Sequence, residues 1–212
     1  MSRRKYLTQT EVERLLKQAR EGLTGERDYC LLYMSFIHGF RVSEVCGLRV
    51  SDVDLKDGSL YIRRMKNGFS TTHPLLGEEI RAIRAWLRVR STLPGAETDW
   101  LFITRQGGPV SRQRVWQVIN RLGKESALSV DSHPHMLRHA CGFALADRGV
   151  DTRLIQDYLG HRNIRHTVRY TASNAERFKG VWRLKKKQKN LQFGPKSKAP
   201  GQKAGKRNRV VR

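Results

Sequence analysis

The stretch Ser132-His133-Pro134-His135-Met136-Leu137-Arg138-His139-Ala140-Cys141-Gly142 decides how this chain is read. Pro134 suits the first turn of a helix, where its missing N–H costs nothing. His135 and Arg138, three residues apart, then share one helix face within the first two turns. A helix start also favours anions, through its free N–H groups and the positive end of its dipole. A phosphate arriving there would meet a guanidinium, an imidazole and backbone donors together. His135 and His139 have the i, i+4 spacing of zinc-binding helices as well. Met136, however, stands where the glutamate of H-E-x-x-H would be, and Arg138 repels a cation from that face, so no metal is expected.

Moving toward the C-terminus, Asp151 caps a predicted helix that begins at about Thr152 and stops at Gly160, with His161 just beyond. Tyr170 follows on a second short helical segment. A lone tyrosine hydroxyl is a poor nucleophile, but one delivered to a pocket of arginines and histidines can attack a phosphodiester. Toward the N-terminus, Asp28 to His38 is apolar or aromatic on nearly all sides, which predicts a buried helix stopped by Gly39, with Arg41 on the next turn. Taken one at a time these residues have quieter readings. Arg41 could be an ion-pair partner of Glu44, His135 or His139 a hydrogen-bonded core histidine, and Tyr170 a packing aromatic.

The rest reads as scaffold. Thr8-Gln9-Thr10-Glu11 fits a capping box, Leu7 and Val12 fit a hydrophobic staple, and Val12, Leu15, Leu16 and Ala19 continue at helical spacing. Ser59 to Arg63 and Phe69 to His73 flank Asn67-Gly68, a tight-turn dipeptide, which predicts a β-hairpin with Lys66 at its tip. Ile80, Ile83, Trp86 and Leu87 predict an amphipathic helix, Trp100 to Ile103 a short strand, and Ser111 to Leu122 another helix. The expected fold is mainly α with a small antiparallel β-hairpin or sheet, of the α+β class.

Charge points to the partner. The chain carries 42 Lys+Arg against 19 Asp+Glu, a net +23 over 212 residues, an excess that repels itself unless a polyanion offsets it. Nucleic acid is the expected partner. Residues 183–212 hold 12 of the basic residues and no acidic one, leaving +11 on residues 1–182. With Gly194-Pro195, Pro200-Gly201 and few apolar residues, 183–212 is expected to be a disordered basic tail behind a 1–182 domain. Cys30, Cys46 and Cys141 are widely spaced and odd in number, so core thiols are expected rather than disulfides or a thiolate metal site. No apolar stretch follows Met1-Ser2-Arg3-Arg4-Lys5 as a signal peptide would require, and none approaches the roughly 18 residues of a membrane span. A cytoplasmic, nucleoid-associated location of bacterial type is expected, with no membrane contact.

Five ordered motifs now stand together: Gly39-Phe40-Arg41-Val42-Ser43-Glu44, Lys66 in its hairpin, His135-x-x-Arg138-His139, Leu159-Gly160-His161, and Tyr170. This set resembles the tyrosine site-specific recombinases, the integrase family. Met65 to Thr71, His133 to Gly142 and Asp151 to Ala175 are similar in particular to the small fimbrial phase-variation invertases. The resemblance covers about residues 3–182.

The resemblance implies a tyrosine-recombinase catalytic domain without the N-terminal core-binding domain of larger members. Arg41 and Arg138 would clamp the scissile phosphate's non-bridging oxygens, a bidentate task suited to guanidinium. Tyr170 would attack to form a 3′-phosphotyrosyl link, Lys66 would protonate the departing 5′-oxygen, and His135 would shuttle the nucleophile's proton. His161 would donate to the phosphate, with Glu44 and His139 supporting from behind. Arg63, Arg64, Arg112, Arg114, Arg162 and Arg165 are expected to contact DNA. The scheme uses neither metal nor ATP nor other cofactor.

The implied partners are double-stranded DNA with inverted-repeat sites, four copies of the chain in synapsis, and DNA-bending accessory proteins. The implied outcome is inversion of a promoter-bearing segment that controls fimbrial or other surface genes. Two alternatives use the same residues differently: a catalytically idle DNA-binding regulator, and a type IB topoisomerase-like enzyme that relaxes supercoils without synapsis.

Overall fold

Helix α1 (Gln9–Arg20) begins where its capping signals place it. Glu11 N–H donates to Thr8 Oγ1, Thr8 N–H donates to Glu11 Oε2 at 2.8 Å, and Leu7 and Val12 are both buried as a staple requires. The computed structural model describes residues 4–64 and 70–172. The hairpin tip with Lys66 and Asn67-Gly68, and the basic tail, lie outside those residues.

Helix α2 (Gly25–Ile37) is the predicted buried helix. Gly39 ends it with φ +58, and a Cβ there would collide with the Leu159 side chain and crowd Cys141 Sγ. Glycine thus lets the end of α2 close on chain segments that carry the site. Arg41 stands directly before a short helix, α3 (Val42–Cys46), whose start is capped by Glu44 accepting from Arg41 N–H at 2.8 Å. The apolar-periodicity reading missed α3, because five residues are too few to show a helical repeat.

A 3-10 turn (Val50–Asp52) leads into a three-stranded antiparallel sheet ordered β1 (Val53–Asp54), β2 (Ser59–Ile62), β3 (Thr71–Pro74). Strand β1 adds an edge to the expected hairpin. A two-residue turn at Asn67-Gly68 would set Ile62 opposite His73, whereas the ladder pairs Ile62 with Thr71 and Leu60 with His73. The shift is two residues, so Leu60, Ile62 and His73 keep their inward face.

Helices α4 (Gly77–Arg90) and α5 (Arg112–Glu125) follow, the latter capped by Ser111. Between them, Trp100 to Ile103 is not a strand: it makes only single bridges, Arg49 with Trp100 and Ile103 with Pro109. Backbone bonds from Leu101 N–H to Leu48 O and from Val110 N–H to Phe102 O are completed by side chains. Arg90 donates to the carbonyls of Ala96, Thr98 and Trp100, and Trp86 Nε1 donates to Leu101 O at 2.8 Å.

The last three helices are α6 (Pro134–Asp147), α7 (Thr152–Leu159) and α8 (Arg165–Ala172). Asp151 caps α7, and Gly160 ends it in the left-handed region at φ +64. A large core joins α1, α2, β2, α4, α5 and the first half of α6. A small one joins Cys141, Ala146, Ile155, Leu159 and Tyr170, so α8 packs mainly on α6 and α7. No described helix is long and apolar enough to cross a membrane.

Candidate active site

Three guanidinium groups converge on one carboxylate. Glu44, buried on α3, accepts from Arg41 Nη1 at 2.7 Å through Oε1 and from Arg64 Nη1 at 2.9 Å through Oε2, with Arg138 Nη1 at 3.9 Å. Arg138 also donates to Gly39 O and, at 2.7 Å, to Leu159 O. Arg41 Nη2 reaches Gly160 O at 3.5 Å. The ends of α2 and α7 therefore supply carbonyl oxygens that aim both arginines, each held by more than one bond.

One carboxylate cannot balance three cations. Burial, then the neighbouring Arg41, pushes the Arg138 guanidinium down to about 10, a sign that the site holds surplus positive charge in poor solvent contact. Such a site has a preorganised affinity for an anion. The side chain of Arg41 remains 26% exposed, at the mouth of a cleft of about 400 Å³ shared with His135, Arg138, His161 and Tyr170.

The histidines here are kept neutral. Burial, then Arg138 and Arg41, lowers His135 and takes His161 down to about 3. His161 Nδ1 lies 2.8 Å from the buried Thr167 Oγ1. When that hydroxyl donates to Nδ1, the proton of the neutral ring sits on Nε2, the tautomer able to donate to a phosphate oxygen.

Tyr170 lies in the same cleft yet is only 1% exposed. Its hydroxyl partner is His139 Nδ1 at 2.9 Å, rather than His135. Burial, first of all, raises the phenol's pKa while Arg138 and Arg169 oppose the rise. The ring is seated over Gly142, where an added Cβ would come within 2.6 Å of a ring carbon. His139 is itself pushed down to about 4, by burial and then by Arg169, so its ring is unprotonated at neutral pH and its Nδ1 can accept the hydrogen bond from the Tyr170 hydroxyl.

The cleft thus gathers Arg41, His135, Arg138, His139, His161 and Tyr170, and Glu44 stands behind it. Lys66 lies outside the described residues. Among the arginines expected to contact DNA, Arg162 lines the cleft and Arg112, Arg114 and Arg165 are exposed. Arg63 is exposed and paired with Asp52 at 2.9 Å. Arg64 is a correction: its side chain is 0% exposed, held by Glu44 and Tyr158 O, so it braces the site instead of reaching DNA.

Four residues escaped the reading of the sequence. Asn163, His166 and Arg169 line the cleft, and Thr167 holds His161. His166 stands four residues before Tyr170 and three before Arg169, and helical spacing back from the nucleophile could have drawn attention first to His166 and through it to Arg169. Thr167 offered no such signal, because its role depends on the turn at Gly160 folding His161 back over α8.

Comparison with known proteins places this geometry. Residues 5–177 match the phage integrase family. The type 1 fimbriae regulatory protein FimB of Escherichia coli strain K12 is 58% identical over 180 residues, 85% of this chain and 90% of that protein. FimE of the same strain is 54% identical over 183 residues, 86% of this chain and 92% of that protein. The crystal structure of XerA recombinase superposes with a TM-score of 0.73 at 28% identity, covering 84% of this chain and 63% of that one. The chain belongs to the phage integrase family, the tyrosine recombinases.

Proposed function

We propose that the chain is a site-specific recombinase of the fimbrial phase-variation kind, inverting a DNA segment that bears a promoter between inverted-repeat sites. The observation that carries the reading is the paired anchoring of Arg41 and Arg138 about Glu44 in the cleft that also holds Tyr170, in a chain 58% identical to FimB.

The scissile phosphate sits between Arg41 and Arg138, which neutralise its non-bridging oxygens as phosphorus becomes five-coordinate. His161 donates to the same oxygens. Tyr170 Oη forms the new bond to phosphorus and gives its proton to His139, with His135 beside the phosphate on the same helix face. The bond from phosphorus to the 5′-oxygen breaks, and Lys66 supplies that oxygen's proton. Because Tyr170 is buried, α8 shifts when DNA binds to bring Oη out of its seat on Gly142. Attack by the 5′-hydroxyl of a partner strand reverses each bond change, so joining needs no external energy. Four copies hold two sites, helped by DNA-bending proteins, in the cytoplasm on the nucleoid.

The test is a plasmid with a promoter segment between inverted repeats taken from the DNA beside the gene. Inversion that depends on the chain supports the proposal. Relaxation of supercoils without inversion would mark a topoisomerase, and binding with neither would mark a regulator.

A further inference from the structure

Behind the arginine site lies a second polar cluster, built from α2, β3 and α4. His38, fully buried at the end of α2, has Nε2 2.8 Å from Oε1 of the equally buried Glu79, a close polar contact rather than an aligned hydrogen bond. Its Nδ1 lies 3.1 Å from His73 Nδ1, and His73 Nε2 lies 3.0 Å from Thr71 Oγ1. Glu79 Oε2 accepts Leu76 N–H at 2.9 Å.

Facing a carboxylate, His38 Nε2 carries the proton and Nδ1 is bare. His73 Nδ1 must then donate, its Nε2 is bare, and Thr71 donates to it. One ordering of donors then runs from Thr71 through His73 to His38, whose Nε2 faces Glu79 Oε1 without an aligned hydrogen bond. Burial, followed by His38 and Arg64, pushes His73 down to about 3, so its imidazole stays neutral through the physiological range. Apolar side chains could fill this space at no desolvation cost, so the cluster needs a reason beyond stability.

Its neighbours supply one. His38 is flanked by the two carbonyls on which the site hangs. Gly39 O accepts from Arg138, while Ile37 O accepts from Tyr158 Oη at 3.0 Å and Cys141 Sγ at 3.3 Å. The His73 ring packs on Tyr158 with centroids 4.1 Å apart, and Tyr158 O accepts from Arg64, the second brace of Glu44. A turn of the His38 ring would therefore move the α2 end, and with it Arg138 and Glu44.

We propose that His38, His73 and Glu79 form a buried positioning unit that sets the carbonyl end of α2 and so aims the phosphate-clamping arginines. The inference rests on the reading of Arg41 and Arg138 as a phosphate clamp. It assigns the three residues no contact with DNA.

The test compares nicked suicide duplexes carrying an ordinary phosphodiester or an uncharged methylphosphonate at the cleavage position. Replacing a non-bridging oxygen by methyl removes the charge that the clamp must neutralise, so errors in aiming the clamp matter less there. His73→Phe and Glu79→Gln should slow cleavage of the phosphodiester by about 100-fold, the cost of displacing a catalytic group by an ångström. The methylphosphonate should be slowed much less, so that the rate ratio moves at least about tenfold in the direction given by Arg138→Ala. Equal slowing on both substrates, with relief still seen in Arg138→Ala, would show a merely structural cluster and overturn the proposal. No relief in Arg138→Ala itself would remove the clamp reading first. Should His73→Phe fail to fold, Glu79→Gln decides, since glutamine keeps the acceptor for Leu76 N–H and the side-chain volume.

Discussion

The hydroxyl of Tyr170 lies 2.9 Å from Nδ1 of His139, one α-helical turn beyond His135 on α6. The histidine nearest the nucleophile is thus the second of the pair. His139→Phe keeps the ring volume and removes the acceptor, so covalent adduct formation should fall by about 100-fold, the lower range for loss of general-base help. Affinity for uncleaved DNA should stay unchanged. Single-turnover cleavage beside a binding isotherm checks both; a His139→Phe chain that cleaves normally would return the proton to another acceptor.

The seat of Tyr170 depends on Gly142, whose added Cβ would meet the phenol ring. Gly142→Ala should cost about 1–3 kcal/mol through overpacking, more than an ordinary glycine-to-alanine change in a helix, which usually stabilises. Urea unfolding of the two chains measures the difference. A stabilised Gly142→Ala chain would mean the ring moves aside freely.

Much of this arrangement was legible in the sequence, and what was hidden has a physical reason. Helices α1, α6 and α7 were readable because their start and stop signals, a capping box at Thr8, Pro134 in a first turn, and Asp151 with Gly160, act within a few residues. The arginines, histidines and Tyr170 were readable as a set through their order along the chain. The fate of Arg64 was not, because its burial is created by contact with Glu44 and Tyr158, 20 and 94 residues away. Similarly, Asn67-Gly68 signals a turn but cannot fix the register, which the inward face of Leu60, Ile62 and His73 constrains only to steps of two.

Arg64 and Arg162 should separate cleanly under mutation. Arg64→Ala leaves Glu44 short of a partner in the interior, so stability should fall by about 3–5 kcal/mol. Arg162→Ala, at the cleft's surface, should leave stability nearly unchanged and lower the salt dependence of DNA binding, by about 0.9 in log-log slope for one phosphate contact. Denaturant melts and salt titrations distinguish them, and a stable Arg64→Ala chain with a reduced salt slope would reverse the assignment.

Acid should weaken the fold before most carboxylates titrate. His73, His139 and His161 are held down to about 3, about 4 and about 3, against an ordinary value of 6.5. The unfolded chain binds these protons more readily, so the stability they contribute is complete above about pH 6.5 and is lost progressively as pH falls toward 4. Unfolding midpoints across that interval should decrease with acid. A midpoint that held constant or rose there would mean that these histidines protonate inside the fold.

If Tyr170 attacks DNA within a clamp of Arg41 and Arg138, a nicked suicide duplex captures the product. Loss of the short leaving strand should trap a covalent protein–DNA adduct that survives denaturation, maps to Tyr170, and is absent from Tyr170→Phe although that chain binds the duplex normally. An adduct that persisted in Tyr170→Phe, or none on a site the chain demonstrably inverts, would mean that Tyr170 is not the nucleophile.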